Sequence, residues 1–171
     1  MSRHGLKIAF GNKSRSGKDT SCEYLQKKYG GNVFHIAESL YEFTTITQKF
    51  FNQEVKKDPI LLQTYGEFFR NYYDKDIWIN NLIKKISNDD MQEKNIFIAD
   101  LRYPNETEKL KSLGFILVNI NRDNRHIDRD PNHPSEILLD NYKFDYIIDN
   151  NSDIDNLYMQ LENMISIYFP L

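Results

Sequence analysis

Leu6 to Phe10 is a short apolar run that ends on Gly11, and the residues from Gly11 to Thr20 read Gly-Asn-Lys-Ser-Arg-Ser-Gly-Lys-Asp-Thr. An apolar run of this length predicts a buried strand, and the segment from about Lys18 to Tyr29 predicts a helix. Glycine lets successive backbone N–H groups curl around an anion, and the start of a helix adds partial positive charge. The order strand, glycine-bearing loop, helix therefore predicts a phosphate-binding loop, with Lys18 reaching the outer phosphates of a nucleotide as a point charge. It also narrows the fold to a parallel sheet covered by helices on both faces.

The loop is one residue longer than the common pattern, so Asn12 stands where the first glycine is expected. Asparagine tolerates a left-handed backbone better than most residues. Asp19 follows the lysine in place of Ser or Thr, and Thr20 comes next. A carboxylate binds magnesium directly or through water, so either residue is a candidate metal ligand. Asn12, Lys13, Ser14, Arg15, Ser16, Gly17, Lys18, Asp19 and Thr20 are the expected ATP contacts. The alternative is a glycine-serine turn with exposed cations.

Strand and helix patterns alternate along the remaining chain. Strands are expected at Val33–Ala37, Ile96–Ala99, Phe115–Ile120 and Tyr146–Ile148. Helices are expected from Ser39, which would cap an apolar series of Leu40, Phe43, Ile46 and Phe50, and from Pro59, with Leu61, Leu62, Tyr65, Phe68 and Phe69 as its stripe. Others follow at Ile77–Ile86, ended by Ser87-Asn88-Asp89-Asp90, at Thr107–Leu113, and at the C-terminus through Ile154, Leu157, Leu161, Met164 and Tyr168. Residues 121–134 are polar and charged and read as a loop or flap. The 171 residues suit a single domain with one core, and 40% apolar content excludes a disordered class.

A net charge of −3 gives no global attraction to nucleic acid or anionic membrane, so any anion site must be built locally. Cys22 is the only cysteine, which rules out an intramolecular disulfide and suits a reducing compartment. It reads as a small buried residue of the first helix rather than a reactive thiol. The N-terminus lacks a signal-peptide core and no segment has the length of a membrane span, so a cytoplasmic location is expected. Asp100, after a strand, lies where open α/β sheets bind ligands; it either joins a magnesium shell, steers an acceptor phosphate, or caps the next helix.

Five segments occur in order: Ser16-Gly17-Lys18-Asp19-Thr20; Leu62-Gln63 with Gly66, Arg70 and Trp78; Asp100-Leu101-Arg102 with Pro104-Asn105-Glu106; His133-Pro134-Ser135-Glu136; and Asp145-Tyr146 with Ile148 and Asn150. In this order they resemble the deoxynucleoside monophosphate kinases of bacteriophages and large DNA viruses, across roughly Ile8 to Leu161. The resemblance implies a three-layer P-loop kinase fold with a mostly parallel five-stranded sheet, a substrate-binding helical part at about 38–90 and a lid at about 121–136. It implies transfer of the ATP γ-phosphate to a nucleoside monophosphate, with magnesium, in the host cytoplasm if the chain is viral. The expected partner is that monophosphate; a homodimer is allowed, while neither membrane nor stable nucleic-acid binding is expected.

Arg70 and Arg102 match positions that face the acceptor phosphate, and a guanidinium fork suits bidentate phosphate binding. Gln63 and Glu67, one helical turn apart, either read a base edge or form a solvated face. Trp78 is either a stacking platform or a core residue. Arg122, Arg125 and Arg129 are the expected catalytic lid arginines, Arg122 best placed because it follows a strand directly. Glu136 matches a lid anchor, and Asn150 lies where adenine meets backbone groups. No arginine precedes Leu62-Gln63, so Lys57 is the nearest substitute there, and Leu40-Tyr41 stands where Leu-Lys is common. Kinases of other phosphorylated small molecules share the Ser-Gly-Lys-Asp loop. The same residues are also compatible with a kinase of polynucleotide ends, or with a nucleotide-binding module without catalysis.

Overall fold

The computed structural model describes residues 5–87 and 94–170. The chain runs β1 (Lys7–Gly11), α1 (Lys18–Tyr29), β2 (Asn32–Phe34), α2 (Glu38–Phe50), α3 (Pro59–Tyr72) and α4 (Ile77–Ile86). It continues through β3 (Ile96–Leu101), α5 (Pro104–Ser112), β4 (Ile116–Asn121), α6 (Pro134–Ile137), β5 (Tyr146–Asp149) and α7 (Ile154–Tyr168). The strands form one five-stranded sheet in the order β2-β3-β1-β4-β5, and every pairing is parallel. Asn88, Asp89 and Asp90, expected to break a helix, lie outside the described residues.

Alternation along the strands sends side chains to two separate cores. Ala9, Ile96, Ile98 and Leu117 face a layer built by α2, α4 and α5, where Leu40, Trp78, Leu82 and Leu110 are buried. Ile8, Phe10, Phe97 and Val118 face the other layer, where α1 supplies Cys22 and Leu25 and α7 supplies Leu157, Leu161 and Met164. The result is the expected three-layer arrangement, with β1 central and its loop at the carboxyl edge of the sheet.

Local expectations change in three helices. The start of α2 is Ala37, which makes no side-chain cap bond, rather than Ser39. Its buried line is Leu40, Thr44 and Gln48, spaced four apart, while Ile46 and Phe50 are exposed. Gln48 faces inward because its amide accepts from the Lys56 N–H at 3.3 Å and donates to the Lys56 carbonyl at 3.0 Å, closing the loop to α3. In α3, Asp58 caps through the Leu61 N–H at 2.9 Å as the Asp-Pro pair predicts, but Phe68 points outward. Finally, α5 begins at Pro104 instead of Thr107, because the Glu106 carboxylate reaches back to the backbone N–H groups of Arg102 at 2.9 Å and Tyr103 at 3.0 Å.

Candidate active site at the carboxyl edge of the sheet

The loop between β1 and α1 has a left-handed backbone at three points: Asn12 (φ +73°), Arg15 (φ +57°) and Gly17 (φ +110°). Asn12 thus adopts the glycine-like conformation that its position requires. Gly17 is also confined in space, since a Cβ there would lie 2.5 Å from Nδ2 of Asn150. That amide donates to the Ser16 carbonyl at 2.8 Å, so Asn150 braces the loop from behind; it is not among the residues lining the cavity over the loop.

Lys18 is buried, and its ammonium donates to the Lys13 carbonyl and, at 3.3 Å, to Oγ of Ser16. Burial pushes its pKa well down and the positive charge of Arg102 adds to this, against the carboxylates of Glu136, Asp19 and Asp100. A buried ammonium held only by neutral oxygens gains most from an arriving anion. Lys13 turns away from the loop cavity: its ammonium binds the Glu136 carbonyl and the Asp140 carboxylate. Lys18 lines the cavity over the loop, and Lys13 does not.

A cavity of about 490 Å³ opens over the loop, lined by Ser14 to Thr20 and, from the lid, by Arg122, Arg125 and Arg129. All three lid arginines meet there. Arg125 donates from Nη1 to the Ser14 carbonyl at 2.9 Å and from Nε to the Arg122 carbonyl at 2.9 Å. Arg129 lines both this cavity and the one beside it, while Arg122 and Arg125 line this one alone. Asp128 ties the lid to the loop, accepting from Nε of Arg15 at 3.0 Å and from Nε of Arg129 at 2.9 Å.

Asp19 pairs with His35, whose Nε2 lies 2.9 Å from Oδ1. That hydrogen bond lowers the Asp19 pKa and raises that of His35. Among the described residues no three His, Cys, Asp or Glu side chains gather as a metal cage. The donors beside Lys18 are the Asp19 carboxylate and the Thr20 hydroxyl, both lining the cavity. Hard oxygen donors in small number suit magnesium, which takes few protein ligands and leaves room for phosphate and water. Asp100 also lines the cavity, and its oxygens accept from the backbone N–H groups of Ile36 at 2.6 Å and Ala37 at 3.0 Å, holding the start of α2. The helix it steadies is not the one that follows it in sequence, which corrects the expectation of a cap there.

The second cavity encloses about 80 Å³ and is lined by Leu40, Tyr41, Leu62, Gln63, Arg70, Tyr103 and Glu106, with His133 from the lid. Arg70 lies 3.8 Å over the Tyr103 ring and donates from Nη2 to Glu106 at 3.2 Å. Its Nε is buried without a hydrogen-bond partner among the described residues. Glu106 is itself buried, and desolvation raises its pKa despite Arg70 and the backbone donors. Gln63 donates from Nε2 to the Asp130 carbonyl of the lid at 3.3 Å.

Two expected substrate contacts are not in this cavity. Glu67 accepts from Nδ2 of Asn71 at 3.2 Å and from the Tyr103 hydroxyl at 3.3 Å, so it supports the wall from outside. Trp78 is a core residue: 5% exposed, it packs edge-on to Phe69 and donates to the Gly66 carbonyl at 3.2 Å. Asp100, Arg102, Arg129 and Tyr41 line both cavities and mark where they meet.

Sequence reasoning missed His35, Tyr103 and Glu106. The signal for His35 was its place just beyond a parallel strand, at the edge where such sheets bind ligands. Glu106 was visible as the third residue of a helix opened by proline.

A family model described as deoxynucleotide monophosphate kinase matches residues 46–161. The chain is 32% identical over 173 aligned residues to the uncharacterized protein ORF77 of Ictalurid herpesvirus 1 (strain Auburn), covering 98% of this chain and 72% of the relative. It is 29% identical to a protein of Acanthamoeba polyphaga mimivirus provisionally named a deoxynucleotide monophosphate kinase, covering 85% of this chain and 89% of the relative. Among solved structures, a gluconokinase from Sinorhizobium meliloti 1021 superimposes with a TM-score of 0.54 over 98% of both chains at 12% identity, which shows a shared P-loop kinase fold. By the family model, which spans more than half of its length, the chain belongs to the deoxynucleotide monophosphate kinase family.

Proposed function

We propose that the protein transfers the γ-phosphate of ATP to a (deoxy)nucleoside monophosphate, giving ADP and the diphosphate. The observation that carries this is the meeting of two cavities at Arg102 and Arg129. One is floored by the phosphate loop and Lys18; the other holds Arg70, whose buried Nε–H has no partner among the described residues. A donor triphosphate and an acceptor phosphate placed in them would face each other across those arginines.

The acceptor phosphate oxygen attacks the γ-phosphorus, the bond to the ADP oxygen breaks, and ADP carries away the electron pair. Positioning and charge stabilisation are all that such a transfer asks of the protein. Lys18 and the loop N–H groups hold the outer phosphates, Arg70 and Arg102 hold the acceptor, and Arg129 neutralises charge on the moving group. Arg122 and Arg125 close the lid over the loop and exclude water. Bound magnesium, which Asp19 and Thr20 would hold through oxygen, supplies further neutralisation of the β- and γ-oxygens. Gln63 sits where a base edge could reach its amide.

Incubating the protein with Mg-ATP and a panel of deoxynucleoside and ribonucleoside monophosphates tests this. Formation of the diphosphate is expected with at least one of them, and no diphosphate from any would refute the proposal. Measuring ADP release across other phosphorylated acceptors separates a related kinase from this one. Tight ATP binding without any product would instead mark a non-catalytic nucleotide-binding module.

A further inference from the structure

One buried carboxylate of the lid segment lines neither cavity but contacts the two arginines at their junction, and the transfer chemistry above does not use it. Glu136 is 4% exposed and is the third residue of the short helix α6. Its Oε2 accepts from both the backbone N–H and the hydroxyl of Ser14 in the phosphate loop, each at 3.1 Å. Its Oε1 accepts from Nη1 of Arg102 at 2.7 Å and lies 3.9 Å from Nη1 of Arg129. Burial alone would raise its pKa, but Arg102, the Ser14 donors and Arg129 outweigh that and keep it below the ordinary carboxylate range.

One carboxylate thus joins the donor loop to both arginines that line the two cavities. A free arginine side chain has many rotamers, and fixing it costs entropy unless a partner holds it beforehand. The geometry points to Glu136 as the positioning residue for phosphoryl transfer: it holds Arg102 and Arg129 in place and sets their distance from the phosphate loop. The inference rests on the kinase reading. It also carries a signature that simple structural support lacks. A negative charge this close to the loop repels a bound triphosphate, so its removal should not weaken ATP binding while it slows the transfer.

The test uses Glu136→Gln, Arg102→Gln and the double variant, with kcat measured on the best acceptor and ATP affinity by calorimetry. Glu136→Gln keeps an oxygen for Ser14 and loses the charge that holds the arginines. Its kcat is expected to fall 10- to 100-fold while its ATP Kd stays equal to or tighter than that of the parent. Arg102→Gln should cost much less in the Glu136→Gln background than alone, because an arginine already out of place has less to lose. An unchanged kcat, an ATP Kd that weakens as much as kcat falls, or additive costs in the double variant would overturn the proposal.

If the parent protein turns over no acceptor, the kinase reading fails by itself, and the same cycle read in urea unfolding still decides whether Glu136 and Arg102 are coupled. Should Glu136→Gln not fold, Glu136→Asp replaces it. Its carboxylate is shorter by about 1.5 Å, one carbon–carbon bond, and cannot span Ser14 and Arg102 together. A kcat at least fivefold lower with ATP affinity kept is expected, and parental kcat would overturn the proposal.

Discussion

Asp128 is the point at which the lid can be loosened with a measurable consequence. Its carboxylate receives Nε of Arg15 from the loop at 3.0 Å and Nε of Arg129 from the lid at 2.9 Å. Burial opposes its ionisation, yet the two guanidinium groups hold the carboxyl down at about 2, against an ordinary 3.8. That difference converts to about 2.5 kcal/mol at full strength. Because the Arg15 side chain is 57% exposed, solvent screening removes at least half of it and leaves about 1 kcal/mol. The folded-state pKa is depressed, so this contribution is complete above the unfolded value and is lost as the pH falls through about 2. By pH ~3 between about half and three quarters of it is gone. Urea unfolding of the parent and Asp128→Asn should therefore differ by about 1 kcal/mol at pH ~6 and by about half of that or less at pH ~3. A difference that stays constant with pH, or one below about 0.3 kcal/mol at pH ~6, would refute the reasoning, since only ionisation of Asp128 makes the gap depend on pH.

Lys18→Ala should reduce diphosphate formation by about a thousandfold or more, since a buried point charge at the transferring phosphates is removed; retained turnover would refute its assigned role. Gly17→Ala must place a Cβ 2.5 Å from Nδ2 of Asn150 in a left-handed backbone, so ATP affinity should fall at least tenfold, as calorimetry would show. Trp78→Ala removes a core indole and leaves the Gly66 carbonyl without its partner, and should cost about 3–5 kcal/mol by chemical denaturation. The conservative Trp78→Phe should leave the acceptor KM within about twofold, whereas a stacking platform would raise it by the 1–3 kcal/mol of a base–aromatic contact. Asp100→Asn keeps one acceptor for Ile36 and Ala37 but turns an amide N–H toward the other, costing about 1–3 kcal/mol. Its magnesium dependence should match the parent's; a shifted magnesium requirement would make Asp100 a metal ligand after all.

How far each part of the molecule could be read in advance depended on whether the cause was local. The helix α1 was legible to the residue because a glycine-lysine start and a Gly30-Gly31 stop bound it within a few positions. The same holds for α4 and for the Asp58-Pro59 start of α3. The start of α2 was not legible, because its stabilising acceptor is Asp100, 63 and 64 residues further along the chain. The inward face of α2 was misread for a related reason, since Gln48 is drawn in by a loop it closes. Side chains with two plausible uses were also beyond local reading. Trp78 occurs in the family pattern and Glu67 lies one helical turn from Gln63, but only the packing of α3 against α4 and Tyr103 shows that one supports the core and the other the cavity wall. Charged residues in the lid were legible as a class; which of them joins the two cavities depends on how residues 121–133 cross the sheet edge.

The extra residue in the phosphate loop bears on that crossing. In a loop of ordinary length the backbone N–H groups are turned toward the phosphates. Here the N–H of Ser14 is given to Glu136 and its carbonyl is taken by Arg125, so both peptide groups of one loop residue are engaged by the lid. The left-handed Arg15 follows at once and sends its side chain to Asp128, a third tie between the same two segments. A longer loop therefore need not weaken the phosphate site. It supplies one residue whose backbone can serve the lid while Gly17 and Lys18 remain free to face the nucleotide. On the proposed reaction the coupling would run in both directions: a triphosphate that ordered Ser14 and Arg15 would also strengthen the hold on the lid, and so would bring Arg129 toward the transferring group.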